Sequence, residues 1–585
     1  METELLINLG ILIFFSILGG IISTKLKQPF VLGLLLVGTL IGPNALGLIA
    51  NPELIDIFIE FGAILFLFIV GMEFSVNKIM GVGIKAIIVS VFKVGIMFFV
   101  GFSTIVLLGF DIATATFTGV MLSFSSTMII MNVLKQKKLI HRKEIPLLIT
   151  VLVLEDLFGV IALIFFKAMK TSGGLTLINS VQNLIISLTI LILAYIIISK
   201  FAEKLITWIH SNTNDEMILF TGLLLCAGFS LLAYYLDLSP SAGAFLAGSI
   251  ISNFKEAKSF HKSIQPYNFM FTSFFFISMG TMINLGAILS NYWVILVLLI
   301  SIFIGLIFAV GLVTKIFANY NSESAVFSTI VMLPPGVFSL LMAKESLAYG
   351  VSIDLISVVS IIILILSVVL SILSVKTNVL LEEVNKRRNK DSVSNKVIKA
   401  ISEYFETLFD ELNSDNAYTK SVKKSSGKLF KQLCFFIFSA IILKEILQRV
   451  FNYSIFYFIL VVSILILSLQ LVYLIKFFNN LRESIISLMS SLDGGIKVKK
   501  IRNGTNHLLF AVILLFIGIF FPLIIFMLGW SKLFLFISVL ILIWSTSCFY
   551  NSGKSFNRLT YYSTGFKYKK FNYDSAKLWS ENNKV

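Results

Sequence analysis

Residues 29–38 of the chain read Pro-Phe-Val-Leu-Gly-Leu-Leu-Leu-Val-Gly, and residues 240–248 read Pro-Ser-Ala-Gly-Ala-Phe-Leu-Ala-Gly. Both stretches place two glycines five residues apart after a proline, inside apolar segments. Small residues let two membrane helices approach closely, so this match alone fits two ordinary packing faces as well as it fits an internal repeat. A second match in the chain favours the repeat.

The second match joins two interruptions of apolar segments. Residues 123–127 read Ser-Phe-Ser-Ser-Thr in the middle of the segment near 112–134, and residues 334–336 read Pro-Pro-Gly in the middle of the segment near 323–343. A double proline cannot continue an α-helix. Serine and threonine are weaker breakers, because their hydroxyls bond back to the preceding turn. We predict a helix break at both places.

The apolar segments predict a series of membrane spans, which is given below. In that series the first match joins the second span to the ninth, and the second match joins the fifth span to the twelfth, so both are offset by seven spans. An odd offset means that the two halves enter the membrane in opposite directions, so residues 29–169 and 239–375 are predicted to form an inverted repeat. In transporters of this kind, interrupted helices at matching positions indicate the substrate site. The reason is that unwound backbone at the membrane midplane is tolerated only where it lines a cavity.

The composition excludes a soluble protein. Of 585 residues, 57% are apolar and 13% are charged, against roughly 25% charged in soluble domains. Disordered and disulfide-framework classes are excluded by 56 phenylalanines against 9 prolines and 3 cysteines. The net charge of +16 is typical of cytoplasmic loops that face anionic lipid, so nucleic acid is not an expected partner. The sequence predicts an all-α polytopic membrane protein.

The histidines and cysteines give no sign of a metal centre or a cofactor. The four histidines lie in or beside loops, and no two have ligand spacing. The three cysteines lie in or beside apolar runs without a CxxC motif, which is typical of small buried side chains. No cofactor is predicted, and no metal beyond a transported monovalent cation.

Apolar segments of about 20 residues predict the membrane-spanning helices. Thirteen precede residue 376, near 4–24, 29–49, 54–76, 84–109, 112–134, 145–169, 181–201, 216–236, 239–253, 266–285, 291–315, 323–343 and 353–375. Lysines and arginines concentrate in the loops that follow odd-numbered segments, which places the N-terminus outside by the positive-inside rule. Residues 1–375 are therefore predicted to form one membrane domain.

The remainder of the chain has a different composition. Residues 376–430 are charged and rich in Ser and Asn, which predicts a cytoplasmic linker with some amphipathic helix. Four apolar segments within 431–550, near 430–450, 453–478, 505–530 and 533–550, predict a second and smaller membrane domain. Residues 551–585 interleave Lys with aromatic residues, as expected of a cytoplasmic tail near an anionic membrane surface.

Two adjacent carboxylates lie deep in the sixth segment. Asp156 is about 16 Å along a helix from Ile145, near the middle of the hydrocarbon layer. Inserting one charge there costs roughly 2.5–3.5 kcal/mol. Asp156 is therefore predicted to bind an ion or a proton. Glu155 has two interpretations, which are ion or proton binding and a structural ion pair with Lys93, the charged residue deep in the fourth segment.

Six motifs occur in the order found in one transporter family, at residues 28–43, 60–73, 125–127, 155–156, 243–248 and 275–280. Over residues 1–375 the chain therefore resembles the monovalent cation:proton antiporter-2 family. The resemblance implies thirteen spans divided between a dimerisation domain and a core domain, two crossed broken helices, and an aspartate that alternately binds Na⁺ or K⁺ and protons. It implies that Asp156 is this aspartate, and that the protein is a homodimer in the cell membrane of a prokaryote.

The chain departs from the family pattern at several places, among them Lys93, which occupies a position more often polar and uncharged. Glu155 stands where members usually carry Asn, Gln or Asp. The segment Pro335-Gly336-Val337-Phe338 lacks the two charges of the matching Arg-Gly-Glu-Phe-like segment, and the C-terminal third lacks the Gly-rich nucleotide-binding domain of potassium-efflux members. These departures leave the choice of ion and the stoichiometry open.

The predicted function is exchange of Na⁺ or K⁺ for protons by alternating access at a mid-membrane carboxylate. The oxygens expected to coordinate the cation belong to the two broken helices, at Ser125, Ser126, Thr127, Pro334, Pro335 and Gly336. Two other functions are also compatible with this sequence. One is a channel-like or uniport pathway for K⁺, and the other is a non-transporting membrane scaffold or sensor.

Overall fold

The computed structural model describes residues 2–26, 28–73, 83–171, 187, 189–191, 193–201, 208, 215–254, 257–374, 393–412, 416–450, 456–492, 498–528 and 535–560. The predicted span near 181–201 lies partly outside these residues, as do the start of the charged linker and most of the tail. The described residues divide into two compact units. The first comprises Met1–Val313, Ser322–Val384 and Pro522–Lys532, and the second Thr314–Asn321, Asn385–Phe521 and Leu533–Val585.

The described residues are helical, which confirms the predicted fold class. In chain order the helices are α1 Glu2–Lys25, α2 Phe30–Ile41, α3 Pro52–Glu73, α4 Ile84–Leu107, α5 Ile112–Leu122, α6 Thr127–Gln136, α7 Ile145–Thr171, α8 Asp215–Tyr235, α9 Pro240–Ser252, α10 Ala257–Thr281, α11 Leu285–Ser290, α12 Tyr292–Leu306, α13 Val313–Phe317, α14 Ser322–Val331, α15 Val337–Ser346, α16 Leu355–Leu373, α17 Val393–Leu412, α18 Ala417–Val450, α19 Phe456–Leu492, α20 Val498–Leu528 and α21 Leu535–Thr560. A π-helical turn, Ile307–Leu312, joins α12 to α13.

Within the described residues, ten helices are long and apolar enough to cross a membrane. Several predicted spans fall short of that length. The segment predicted near 29–49 is helical only as far as Ile41, because Gly42 has extended backbone and Pro43 follows it. The segments near 112–134 and 323–343 are each two short helices separated by a break.

The glycines of α2 allow two other helices to approach its backbone. A Cβ atom on Gly33 would lie 2.1 Å from the carbonyl oxygen of Gly19 in α1. A Cβ atom on Gly38 would lie 2.2 Å from the carbonyl oxygen of Ile277 in α10. The five-residue spacing thus directs one glycine to each neighbour, because five residues turn an α-helix by about 140° beyond a full turn.

The same arrangement recurs in α9. A Cβ atom on Gly243 would lie 2.3 Å from the carbonyl oxygen of Phe229 in α8, and one on Gly248 would lie 2.1 Å from that of Phe68 in α3. The short helix α2 packs on α1, the helix before it, and on α10 of the other half. The short helix α9 packs in the same way on α8, the helix before it, and on α3 of the other half. This exchange agrees with an inverted repeat.

The breaks predicted in the fifth and twelfth spans are present. The first separates α5 from α6 at residues 123–126, and the second separates α14 from α15 at residues 332–336. The two unwound segments cross and pair as antiparallel backbone. The amide N–H of Ser126 donates to the carbonyl oxygen of Pro334 at 2.9 Å, and that of Gly336 donates to the carbonyl oxygen of Phe124 at 3.0 Å.

Two contacts within the first unit each join loops that lie at the same end of the helices. Arg142, between α6 and α7, bonds Glu323 at the start of α14 at 2.9 Å. At the other end of the broken helices, the Ser352 amide donates to Thr114 Oγ1 at 2.9 Å. These two contacts join loops that the predicted order of spans places at the same end of the bundle.

In the second unit, α20 and α21 are joined by a row of serines. The hydroxyls of Ser538, Ser545 and Ser552 donate to the carbonyl oxygens of Gly518, Ala511 and Gly504 at 2.6, 2.7 and 2.9 Å. All three serines are buried. Donors and acceptors both repeat every seven residues in opposite directions, which defines an antiparallel register with small residues on the facing helix.

The predicted linker 376–430 contributes two helical segments to the second unit, α17 and the first turns of α18. In α17, the buried Tyr404 stacks on Phe556 at 4.3 Å between ring centroids and bonds the Thr505 hydroxyl at 2.9 Å. Asn319, which belongs to the same unit, donates to the Glu406 carboxylate at 2.6 Å. The amphipathic helix expected in this region therefore packs its aromatic residues into a core.

Candidate functional site

The helix α7 carries both carboxylates that the sequence predicts to lie at mid-membrane. Adjacent positions of a helix point about 100° apart, so Glu155 and Asp156 enter different surroundings. Glu155 is fully buried, whereas Asp156 is half-buried. The two acids of the motif are consequently not equivalent, and each is described with its own partners.

Glu155 forms an ion pair with Lys93 of α4. The distance from Lys93 Nζ to Glu155 Oε2 is 2.6 Å, and the two side chains are 1% and 0% exposed. Lys93 Nζ also donates to the carbonyl oxygen of Ser123 at 2.7 Å and to Ser125 Oγ at 2.8 Å. An ammonium group has three N–H donors, and these three acceptors match them in number.

The ion pair is anchored to the unwound segment between α5 and α6. Glu155 Oε2 accepts a second hydrogen bond, from the backbone N–H of Ser125 at 2.8 Å. The other oxygen, Oε1, is buried and has no hydrogen-bond partner among the described residues. Lys93 and Glu155 therefore tie three parts of the first unit together, namely α4, the unwound segment and α7.

Asp156 accepts a hydrogen bond from the residue that follows the break between α5 and α6. Thr127, the first residue of α6, donates its hydroxyl to Asp156 Oδ2 at 3.0 Å. The N-terminus of a helix carries a partial positive charge, and the ammonium of Lys93 adds a favourable electrostatic interaction with the carboxylate. Thr127 is thus the predicted cation ligand whose side chain contacts the predicted carboxylate.

The other predicted ligands lie at the crossing, where several of their polar atoms hold the two segments together. Ser125 Oγ accepts from Lys93 and donates to the carbonyl oxygen of Met332 at 3.1 Å. Ser126 Oγ caps α6 by accepting from the Ile129 N–H at 3.3 Å. The carbonyl oxygen of Pro334 and the N–H of Gly336 form the antiparallel pair described above, and Pro335 lies buried between them.

Two further contacts support the crossing but were not predicted from sequence. Ser339 of α15 donates to the carbonyl oxygen of Met121 at 2.6 Å. Gly159, one turn beyond Asp156, lies so close to the Phe338 ring that a Cβ atom would be 2.5 Å from ring carbon Cγ. The sequence does contain a signal for the Gly159 contact, which is a glycine inside an apolar helix close to an acid. It contains no signal for the bond from Lys93 to the Ser123 carbonyl, because that acceptor is a backbone atom.

The charges at the crossing sum to minus one when all three groups are ionised, since one ammonium faces two carboxylates. Lys93 and Glu155 neutralise each other at close range in a buried environment. Asp156 adds one negative charge on a half-buried group, beside a hydroxyl and a helix N-terminus. A monovalent cation or a proton would neutralise it, which is the chemistry that competition for one carboxylate requires.

Outside the spanning segments, the carboxylate of Glu144 is stabilised in its charged form. Burial of Glu144, just before α7, would by itself raise its pKa. Hydrogen bonds from Ser324 and Arg142 and the charge of Arg142 outweigh this effect, so the pKa of Glu144 lies below its usual range. The Arg142 Nε atom lies 3.3 Å from Glu144 Oε2, and its guanidinium stacks over Phe327 at 4.1 Å.

Comparison with known proteins places these features in a family context. The model of the sodium/hydrogen exchanger transmembrane domain matches residues 11–379. The iron transporter MagA of Paramagnetospirillum magneticum is 26% identical over 346 residues, which cover 58% of this chain and 77% of MagA. The Na(+)/H(+)-K(+) antiporter GerN of Bacillus cereus is 25% identical over 351 residues, covering 60% of this chain and 90% of GerN.

A solved structure gives the same fold. The sodium proton antiporter MjNhaP1 from Methanocaldococcus jannaschii superposes with a TM-score of 0.50 and 19% identity. The alignment covers 63% of this chain and 96% of that protein. The antiporter fold is thus shared, and the remainder of this chain lies outside the alignment.

Proposed function

The chain belongs to the sodium/hydrogen exchanger family, whose members are transporters and not enzymes, and from this premise we propose that it exchanges a monovalent cation, Na⁺ or K⁺, for protons by alternating access at Asp156. The observation that carries the proposal is the position of Asp156. Its half-buried carboxylate accepts from Thr127 at the point where two broken helices cross.

In this mechanism, Asp156 binds either a proton or the cation. The cation loses part of its hydration shell to the carboxylate, the Thr127 hydroxyl and carbonyl oxygens of the unwound backbone, which are the ligands that hard cations prefer. The charged, empty site is costly to move across an apolar layer. Movement therefore occurs only after Asp156 is neutralised, and this condition couples the two fluxes.

We place the protein in the cell membrane as a homodimer. The concentration of Lys and Arg in the loops after odd-numbered spans supports an external N-terminus, with residues 376–430 and the C-terminal tail in the cytoplasm. Residues 431–550 form a second membrane domain in this proposal. Three apolar helices long enough to span, within α19, α20 and α21, support it.

Transport by purified protein in liposomes tests the proposal. With a trapped pH dye, addition of Na⁺ or K⁺ to an acid-loaded liposome is expected to drive proton efflux, and Asp156→Asn is expected to abolish it. Asp410→Asn, which makes the same chemical change at an exposed position of α17, is the matched control and retains exchange. Exchange at the wild-type rate in Asp156→Asn would overturn the proposal.

The same preparation separates the other candidate functions. Cation flux that ignores an imposed pH gradient would identify a channel-like or uniport pathway. Absence of flux for Li⁺, Na⁺, K⁺ and Rb⁺ across a range of pH, in protein that remains folded, would identify a scaffold or sensor. A series of these four cations also determines which cation the site selects, because selectivity depends on cavity size and ligand number.

A further inference from the structure

We propose that Lys93 is a built-in cation that permanently occupies Glu155, so that one proton is exchanged for one monovalent cation and no net charge crosses the membrane. This inference rests on the proposed function and deepens it. It assigns Lys93 and Glu155 as positioning residues and leaves Asp156 as the group that exchanges its ligand in each cycle.

The first step of the argument concerns where the ammonium group lies. The carbonyl oxygen of Ser123 follows the last turn of α5, where the helix end carries a partial negative charge. Lys93 Nζ is 2.7 Å from that oxygen. In transporters with broken helices, such carbonyl ends coordinate the transported ion. Here the side chain of the protein itself supplies the positive charge.

The second step concerns the carboxylate that the ammonium faces. Glu155 Oε2 receives both Lys93 Nζ at 2.6 Å and the Ser125 N–H at 2.8 Å. Both side chains are excluded from water, at 1% and 0% exposure. Loss of one partner of a buried pair leaves an uncompensated charge, which is strongly unfavourable. The pair consequently keeps a net charge of zero, and neither residue exchanges an ion with the solution during transport.

The third step counts the charges. Lys93 and Glu155 together contribute zero, and Asp156 contributes minus one when empty. One H⁺ or one Na⁺ or K⁺ brings the site to zero in either direction of movement. If Glu155 also titrated, the site would carry two protons against one cation, and each cycle would move a charge. The geometry therefore points to one-for-one, electrically silent exchange.

The wild-type protein tests the count directly. In liposomes, tetraphenylphosphonium at equal concentration on both sides holds the membrane potential at zero, and the pH gradient that stops exchange is measured against a tenfold Na⁺ or K⁺ gradient. One-for-one exchange stops at a pH difference of about one unit, and two protons per cation would stop it at about half a unit. A stop at about half a unit overturns the inference. Absence of any exchange overturns the proposed function instead.

Two variants test the residues. Lys93→Met frees Glu155 to bind one proton together with Asp156 and to release it when the cation binds, so two protons exchange for one cation and the stopping pH difference is expected to move toward half a unit. The double variant Lys93→Met with Glu155→Gln removes both charges, and its stopping point is expected to remain at about one unit. If Lys93→Met does not fold, the double variant still decides. A stop at half a unit in the double variant, or no exchange by folded double variant, overturns the assignment.

Discussion

The ammonium nitrogen of Lys93 lies 2.6 Å from a carboxylate oxygen of Glu155, and neither side chain is more than 1% exposed. The next residue along the helix, Asp156, lies half-buried and accepts from Thr127 instead. Two neighbouring acids therefore have different surroundings, a buried ion pair for Glu155 and a half-buried position beside a hydroxyl for Asp156. The difference follows from their directions on α7, because adjacent helical positions point about 100° apart.

Breaking the buried pair is expected to destabilise the protein more than removing it. Glu155→Gln leaves the Lys93 charge buried, and we expect a loss of about 3–5 kcal/mol in stability. Replacing both residues, with Lys93→Met and Glu155→Gln, is expected to cost much less, because no uncompensated charge is left. Thermal melting in detergent compares the two. A single variant as stable as the wild type would contradict the prediction.

Thr127 is expected to contribute to cation affinity. Thr127→Val removes the hydroxyl that bonds Asp156 while keeping the shape of the side chain. Hydrogen bonds to charged groups are worth about 1.5–3 kcal/mol, so the apparent Michaelis constant for the cation is expected to rise at least tenfold. Thr127→Ser keeps the hydroxyl and serves as the control. The measurement is the exchange rate as a function of cation concentration, and equal constants for the two variants would refute a role for the hydroxyl.

Gly248 is expected to be intolerant of any side chain. A Cβ atom would lie 2.1 Å from the backbone oxygen of Phe68, so α9 and α3 must separate. We expect Gly248→Ala to lose about 1–3 kcal/mol or more. Gly228→Ala makes the same change in α8, where nothing lies within 4 Å, and is expected to gain about 0.5–1 kcal/mol from helix propensity. Melting temperatures that move in the same direction would argue against this packing.

The stability of the protein is expected to fall in acid partly through Glu144. The pKa of Glu144 in the folded protein lies below its usual value, so its charged form is stabilised by folding. This contribution is present above the unfolded pKa, near 4.3, and is lost as the pH falls through the lower folded value. Glu144→Gln removes it and should flatten the acid limb of the melting temperature. The exposed Glu53→Gln is the control, and an acid limb identical in all three proteins would contradict the prediction.

The serine row between α20 and α21 is expected to contribute measurably to the second unit. Ser545, the middle donor, bonds the Ala511 carbonyl at 2.7 Å. Interhelical hydrogen bonds in membranes are worth about 0.6 kcal/mol on average, with a maximum near 1.7. Ser545→Ala is expected to lose stability in that range. Ser468→Ala, whose exposed hydroxyl bonds only within α19 among the described contacts, should have a smaller effect on thermal melting.

Much of the fold could be predicted because its signals are local. The double proline at residues 334–335 stops a helix wherever it is placed, since each proline lacks an N–H donor. The weaker break at residues 123–126 followed from its match to the first in the repeat. The predicted span near 29–49 is longer than the helix α2, which ends at Ile41. Hydropathy alone gives the longer segment, because it does not register that Pro43 interrupts the helix.

The sequence by itself determined the membrane class, the inverted repeat, the two breaks and the presence of two adjacent acids within an apolar helix, because composition, proline and periodicity act over a few residues. It left two roles open for Glu155. Only the tertiary structure decided where Lys93 lies, since residues 93 and 155 are brought together by the packing of α4 against α7 across the unwound segment. That packing encloses Glu155 with an ammonium group and leaves Asp156 half-buried beside Thr127, a distinction that adjacent letters in a sequence do not contain.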